Sequence, residues 1–170
     1  MNAPTVSRIR PDDLPAAIAL MRDTVRRVNA RDYSWEQVTT WAPDEVDPAR
    51  WATLLAPSRF AVVAESDGVL VGFADLEPDG HLDRFYVHAD RQRSGVGRAL
   101  LAALLAEAAR LALPRVFSEV SITARPFFER QGFSVLAEQQ VVVRGVAFTN
   151  YRMERRPEPA GEARRAAGFR

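Results

Sequence analysis

Strand segments interleaved with helical ones, in the order β-α-α-β-β-β-α-β-α-β-β, predict an α+β (α/β) fold, a sheet with helices on its faces. Three observations lead there. One helical apolar face stands near the N-terminus, a meander of turn-punctuated strands fills the middle, and an Ala/Leu helix precedes a closing hairpin. At 170 residues, 47% of them hydrophobic, the chain can bury one core without staples.

Val6 to Ile9 reads as the first strand. Pro11-Asp12-Asp13 offers a helix N-cap with Pro15 tolerated in the first turn, and Leu14, Ile18, Met21, Val25 and Val28 then share one helical face. Residues 29–57 are mixed, with Trp35, Trp41, Trp51, Pro43 and Pro48, and predict one or two short helices over the core. All three tryptophans fall there, as in a ligand-facing lid, although tryptophan more often serves as bulk. Phe60–Glu65 and Val69–Leu76 flank the hairpin signal Ser66-Asp67-Gly68, and after Glu77-Pro78-Asp79-Gly80 a third strand runs from His81 to Val87. A helix from Val96 to Leu111 is stopped by Pro114. Val116–Ile122 is a strand, Ala124–Gln131 a short helix closed by Gly132, and Phe133–Val143 with Val146–Met153 a last hairpin. The domain is expected over residues 1–156, with residues 157–170 a flexible Arg/Pro/Gly-rich tail.

Composition excludes much chemistry. There is no cysteine, hence no disulfide, thiolate metal site or cysteine nucleophile, and all 23 basic residues are arginine. Without lysine there is no Schiff base, no pyridoxal-phosphate attachment and no P-loop lysine. His81 and His88 are too few for most metal sites, so no metal is expected. Net charge is +1, and the arginines after residue 154 are too few to indicate nucleic acid. The N-terminus does not read as a signal peptide, and the longest apolar stretch is too short for a bilayer. A cytoplasmic protein without a membrane partner, monomer or homodimer, is expected.

The chemistry gathers at Arg91-Gln92-Arg93-Ser94-Gly95-Val96-Gly97-Arg98, between the third meander strand and the long helix. Two glycines permit a tight turn whose N–H groups converge, and the helix start adds unpaired N–H groups and its dipole. Positions 91 to 106 hold no acidic residue, while three arginines surround the loop. That suits a phosphate or pyrophosphate. A Walker loop fails for want of lysine, and a Rossmann fingerprint fails because Leu100 stands where its third glycine would be.

Leu82-Asp-Arg-Phe-Tyr-Val87, Gln92-Arg-Ser-Gly-Val-Gly97 and Arg98-Ala-Leu-Leu together resemble the acetyl-CoA motif of the GNAT superfamily of N-acetyltransferases. Ala124-Arg-Pro-Phe-Phe-Glu-Arg-Gln-Gly-Phe133 resembles that family's second motif. The resemblance spans residues 6 to about 154 and implies a mixed, mostly antiparallel central sheet flanked by helices. It implies that main-chain groups around Phe85, Tyr86 and Val87 hold the pantetheine arm. It further implies that the amides of Gln92, Arg93, Ser94, Gly95, Val96, Gly97 and Arg98 hold the pyrophosphate. Ser121 stands where many members have a cofactor-touching asparagine, and Phe127 and Phe128 should lie along the pantetheine.

The chain departs from the family at Phe128, where many members use a tyrosine to protonate the leaving thiolate. Tyr33, Tyr86 and Tyr151 are possible substitutes, with Tyr33 preferred because it lies in the acceptor-side segment. An alkyl ammonium also needs a base. His81 and Asp83 should share a strand face with Phe85, as Glu119 shares one with Ser121, and His81, Asp83 and Glu119 are the candidates. A Ser121–His81–Asp83 triad lacks the Gly-x-Ser-x-Gly elbow. The acceptor should enter near Tyr33, Trp35 and Trp41, with Tyr151 also in reach. The expected function is N-acetyl transfer from acetyl-CoA to a primary amine of a small molecule or a protein N-terminus. A non-catalytic acyl-CoA sensor is the alternative.

Overall fold

The computed structural model describes residues 3–157, so the tail expected over 157–170 lies almost wholly outside the described residues. The elements are β1 (Thr5–Arg8), α1 (Leu14–Arg27), α2 (Trp35–Trp41), α3 (Pro48–Ala52), β2 (Phe60–Ser66), β3 (Val69–Leu76), β4 (Leu82–Val87), α4 (Val96–Arg110), β5 (Val116–Ser121), α5 (Arg125–Arg130), β6 (Ser134–Val143) and β7 (Val146–Arg155). The order is the expected one with one more short helix, because residues 29–57 form both α2 and α3. A capping box starts α2: the Ser34 hydroxyl accepts from the Gln37 N–H at 3.2 Å, and the Gln37 amide oxygen accepts from the Ser34 N–H at 2.8 Å. Asp47 caps α3 by accepting from the Ala49 N–H. Asp13 does not cap α1; its carboxylate turns back to the Arg10 N–H.

The strands form two sheets rather than one. Their orders are β1-β2-β3-β4 and β5-β7-β6, and every pairing within them is antiparallel. Among the described residues a single parallel bridge, His81 to Phe117, joins the two. Apolar residues from both faces of the first sheet explain the layering. Val62, Ala64, Val71 and Ala74 pack under Leu100, Leu101 and Leu104 of α4. Ala61, Val63 and Phe73 face Ala17, Met21 and Val25 of α1 and Val38 of α2. The alternation along β2 and β3 therefore fills two cores rather than one core and solvent.

Register departs from alternation at one place that matters. Ala74 pairs with Phe85 and Leu76 with Leu82, so Asp75 alone faces both Asp83 and Arg84. This bulge rotates β4 by one residue. Leu82, Phe85 and Val87 pack toward α4, while Tyr86 packs toward α1 and α2. The expectation that His81, Asp83 and Phe85 share one face is thereby corrected.

Candidate active site

The bridge marks where the sheets part. The Phe117 N–H donates to the Gly80 carbonyl at 3.0 Å, and the Ser118 hydroxyl donates to the Leu82 carbonyl at 2.7 Å. Gly80 has φ +95°, and a Cβ there would lie 2.3 Å from the Arg115 carbonyl oxygen, so only glycine lets the two chains approach this closely. Beyond Ser118, among the described residues, β5 pairs with β7 alone and β4 pairs only with β3, which leaves its other edge open. His88 donates to Val71 across β3 and β4 at 2.9 Å. Antiparallel exchange alternates, so Tyr86 is the next residue to bond β3, and Phe85 and Val87 turn their main-chain groups toward the gap. The Val87 carbonyl is taken by the Thr24 hydroxyl and the Gln92 amide.

The gap is a cleft of ≈ 850 Å³. Its apolar floor is a ring cluster in which Phe85 lies 5.5 Å from Phe127 and 5.4 Å from Phe128. Its polar end is the loop into α4, where Arg93 (φ 61°) and Gly95 (φ 90°) both adopt left-handed backbone. Among the described residues, no N–H from Gln92 to Arg98 donates to a protein acceptor, and α4 has no side-chain cap. The Ser94 hydroxyl donates to the Arg91 carbonyl, tightening the turn. Arg31, Arg93, Arg98 and Arg130 line this cleft and enter no ion pair among the described residues. Unspent N–H groups with guanidiniums around them fit a diphosphate, and the free strand edge fits an amide-containing arm.

A second cavity of ≈ 270 Å³ lies on the α1–α3 side. The two cavities share Trp41, Asp83, Tyr86, Glu119 and Ser121 in their linings. Beneath this junction lies a charge network. Buried Asp75 and half-buried Glu77 ion-pair with Arg59, which also meets Asp83 at 3.1 Å. Arg84 lies 3.7 Å from both Asp75 and Asp83. Burial pushes the Asp75 carboxyl up, against the pull of Arg59. His81 is clamped, with Nδ1 2.8 Å from Glu77 and Nε2 2.6 Å from Glu119, and its ring stacks on Phe117. Burial acts to lower the imidazolium pKa, the two carboxylates outweigh it, and the net direction is up.

A family model described as an acetyltransferase (GNAT) domain matches residues 29–155. The chain belongs to the GNAT acetyltransferases. It is 33% identical over 158 residues, 93% of this chain and 99% of the relative, to the uncharacterized N-acetyltransferase YafP of Escherichia coli strain K12. A GCN5-related N-acetyltransferase from Rhodopseudomonas palustris superposes with a TM-score of 0.86 at 30% identity, covering 92% of this chain and 98% of that one. PaiA N-acetyltransferase from Thermoplasma acidophilum, solved with coenzyme A, shares the fold with a TM-score of 0.75 at 17% identity, covering 92% of this chain and all of its own. This GNAT protein is thus an acetyl-CoA-dependent N-acetyltransferase.

Most residues that the sequence singles out line one of the two cavities, and five line neither. Asp83, Glu119 and Ser121 meet at the junction, while Phe85, Tyr86, Val87, Gln92, Arg93, Gly95, Gly97, Arg98, Phe127 and Phe128 line the cleft. Ser94 lines neither cavity, and the Val96 side chain is buried in the core. His81 lines neither cavity; it reaches the junction only through Glu119. Tyr33 lines the smaller cavity, but its hydroxyl donates to the Thr149 carbonyl at 2.8 Å and accepts from the Ile122 N–H at 2.9 Å. Burial raises its pKa. Its proton is committed to holding β7 against the end of β5, which corrects the preference for it as an acid. Tyr86 instead accepts from Trp41 Nε1 at 3.0 Å, and burial pushes it up to about 12. Trp35 is 67% exposed and Tyr151 lies under Arg125 near α5, so both stand outside the cavities.

Sequence reasoning missed Asn150, Arg50 and Arg84, which line the smaller cavity, and Arg31 and Arg130, which line the cleft. Asn150 pairs with Ser121 across β5 and β7, so an asparagine amide does reach this place from the neighbouring strand. A polar residue in the middle of the last strand was the available signal.

Proposed function

We propose that this protein transfers the acetyl group of acetyl-CoA to the primary amine of a small molecule by direct attack, in the cytoplasm. The observation that carries this reading is the junction: Glu119 and Asp83 belong to the linings of both cavities. An amine in the smaller cavity therefore meets a carboxylate where it faces the cleft. Bound acetyl-CoA supplies an activated acyl thioester. The main-chain groups of Phe85 and Val87 hold its arm as an added strand would, and the N–H groups of Gln92 to Arg98 hold its diphosphate. Arg31, Arg93, Arg98 and Arg130 supply counter-charge.

Glu119 takes the amine proton, directly or through one water, and His81 keeps that carboxylate in place. Asp83, tied to Arg59 and near Arg84, adds negative potential that attracts the ammonium. No side chain is required to protonate the departing sulfur, since thiols titrate near pH 8.5. This accounts for Phe128 in place of the tyrosine found in many relatives. Positioning supplies most of the rate.

Thiol release from acetyl-CoA against a panel of small primary amines tests the proposal. Turnover with at least one amine, lost in Glu119→Gln, is the expected result. Coenzyme A binding without turnover on any amine would favour the acyl-CoA sensor, for which Phe128 and the committed Tyr33 hydroxyl speak.

A further inference from the structure

The smaller cavity is chemically lopsided. At the junction its polar groups are mainly hydrogen-bond acceptors: the Glu119 and Asp83 carboxylates. Close by, on the strand paired with Ser121, the Asn150 amide makes no hydrogen bond among the described residues, and its Oδ1 is fully buried. A buried carbonyl oxygen without a donor is costly unless a ligand N–H satisfies it. Outside the lining that the cleft shares, the smaller cavity carries Arg50, Arg84 and Arg144 against one carboxylate, Asp47. Asp47 is engaged as the α3 cap, and Arg84 lies beside Asp75 and Asp83.

Arg50 and Arg144 differ from Arg84. Neither enters an ion pair among the described residues, and Arg144 spends one donor on the Thr40 carbonyl. Arg50 and Arg144 both line the cavity. Trp51, Val141 and Phe148 add apolar wall to the same cavity. A cavity of ≈ 270 Å³ suits a molecule of amino-acid size rather than a folded chain terminus.

We propose that the acceptor is a small amine that also carries a carboxylate-class anion. Its ammonium sits at Glu119 and Asn150, and its anion at Arg50 and Arg144. The proposal rests on the acetyl-transfer reading above and names the substrate class for it. In the step itself, the bound ammonium first gives one proton to Glu119, which releases it to water; the neutral amine nitrogen then bonds to the acetyl carbon, the carbon–sulfur bond breaks, sulfur leaves as thiolate and the second N–H proton passes to Glu119.

L-leucine, L-leucinamide and isoamylamine share one side chain and differ only in the acid group, so they form the probe series. Their affinities for the coenzyme-A-loaded protein are read by calorimetry, and their turnover with acetyl-CoA by thiol release. L-leucine is expected to bind roughly tenfold or more tightly than the other two, as for a hydrogen bond to a charged group. Arg50→Ala should bring that ratio near one, and Arg50→Lys should restore part of it. Equal affinities across the series, no binding of L-leucine, or a ratio that survives both Arg50→Ala and Arg144→Ala would overturn the proposal. Binding without thiol release in the whole series would count against acetyl transfer, while the affinity ranking would still decide acid recognition.

Discussion

His81 shows how a residue that the sequence marks as catalytic can act one step away. Both of its ring nitrogens are occupied by carboxylates, and only Glu119 reaches the cavities. Glu119→Gln should therefore lower kcat by about 10²-fold or more, with the coenzyme A Kd unchanged by calorimetry. The raised folded-state pKa of His81 fixes a sign as well. Its contribution to stability is complete below the unfolded value, about pH 6.5, and is lost as pH rises through the higher folded value. Thermal melts should fall across that window, and His81→Asn should flatten the fall. Tyr33→Phe removes a donor to Thr149 and an acceptor for Ile122. It should cost about 1–3 kcal/mol of stability, with kcat lowered far less than in Glu119→Gln.

The β4 strand and the loop after it carry the site, and each depends on a glycine. Gly80→Ala would drive a Cβ to 2.3 Å from the Arg115 carbonyl oxygen at the one bridge between the sheets. A loss of about 2–4 kcal/mol is expected in denaturant melts. Gly95→Ala forces a side chain into left-handed backbone at about 1–2 kcal/mol, and weaker coenzyme A binding should report it. The phosphate loop was legible because spaced glycines, arginines and a missing acidic helix start are local signals. The bulge at Asp83 and Arg84 was not, since strict alternation puts His81, Asp83 and Phe85 on one face and only pairing with Asp75 shows otherwise. Arg31 was illegible for the same reason: tertiary approach puts it beside the cleft.

At the scale of the molecule, the described residues fold as two antiparallel sheets sharing one parallel bridge, with helices on both faces. The number of strands and the outer helices follow from periodicity and turn chemistry; the division between β4 and β5 does not, because each strand alone looks pairable. Ligand in that division should tie the sheets together. At a hundredfold excess over Kd, coenzyme A should add about 2.7 kcal/mol of stability. Hydrogen exchange should slow at Phe85 and Val87, whose N–H groups would gain acceptors.

The cations that line the cleft are all guanidiniums, in a protein whose 23 basic residues include no lysine. A guanidinium stays protonated at any physiological pH and so is no nucleophile. The enzyme can hold a reactive acyl donor among many positive charges without offering that donor an internal target. Prolonged incubation with acetyl-CoA should leave its side chains free of acyl adducts by mass spectrometry, whereas Arg93→Lys or Arg98→Lys should accumulate one.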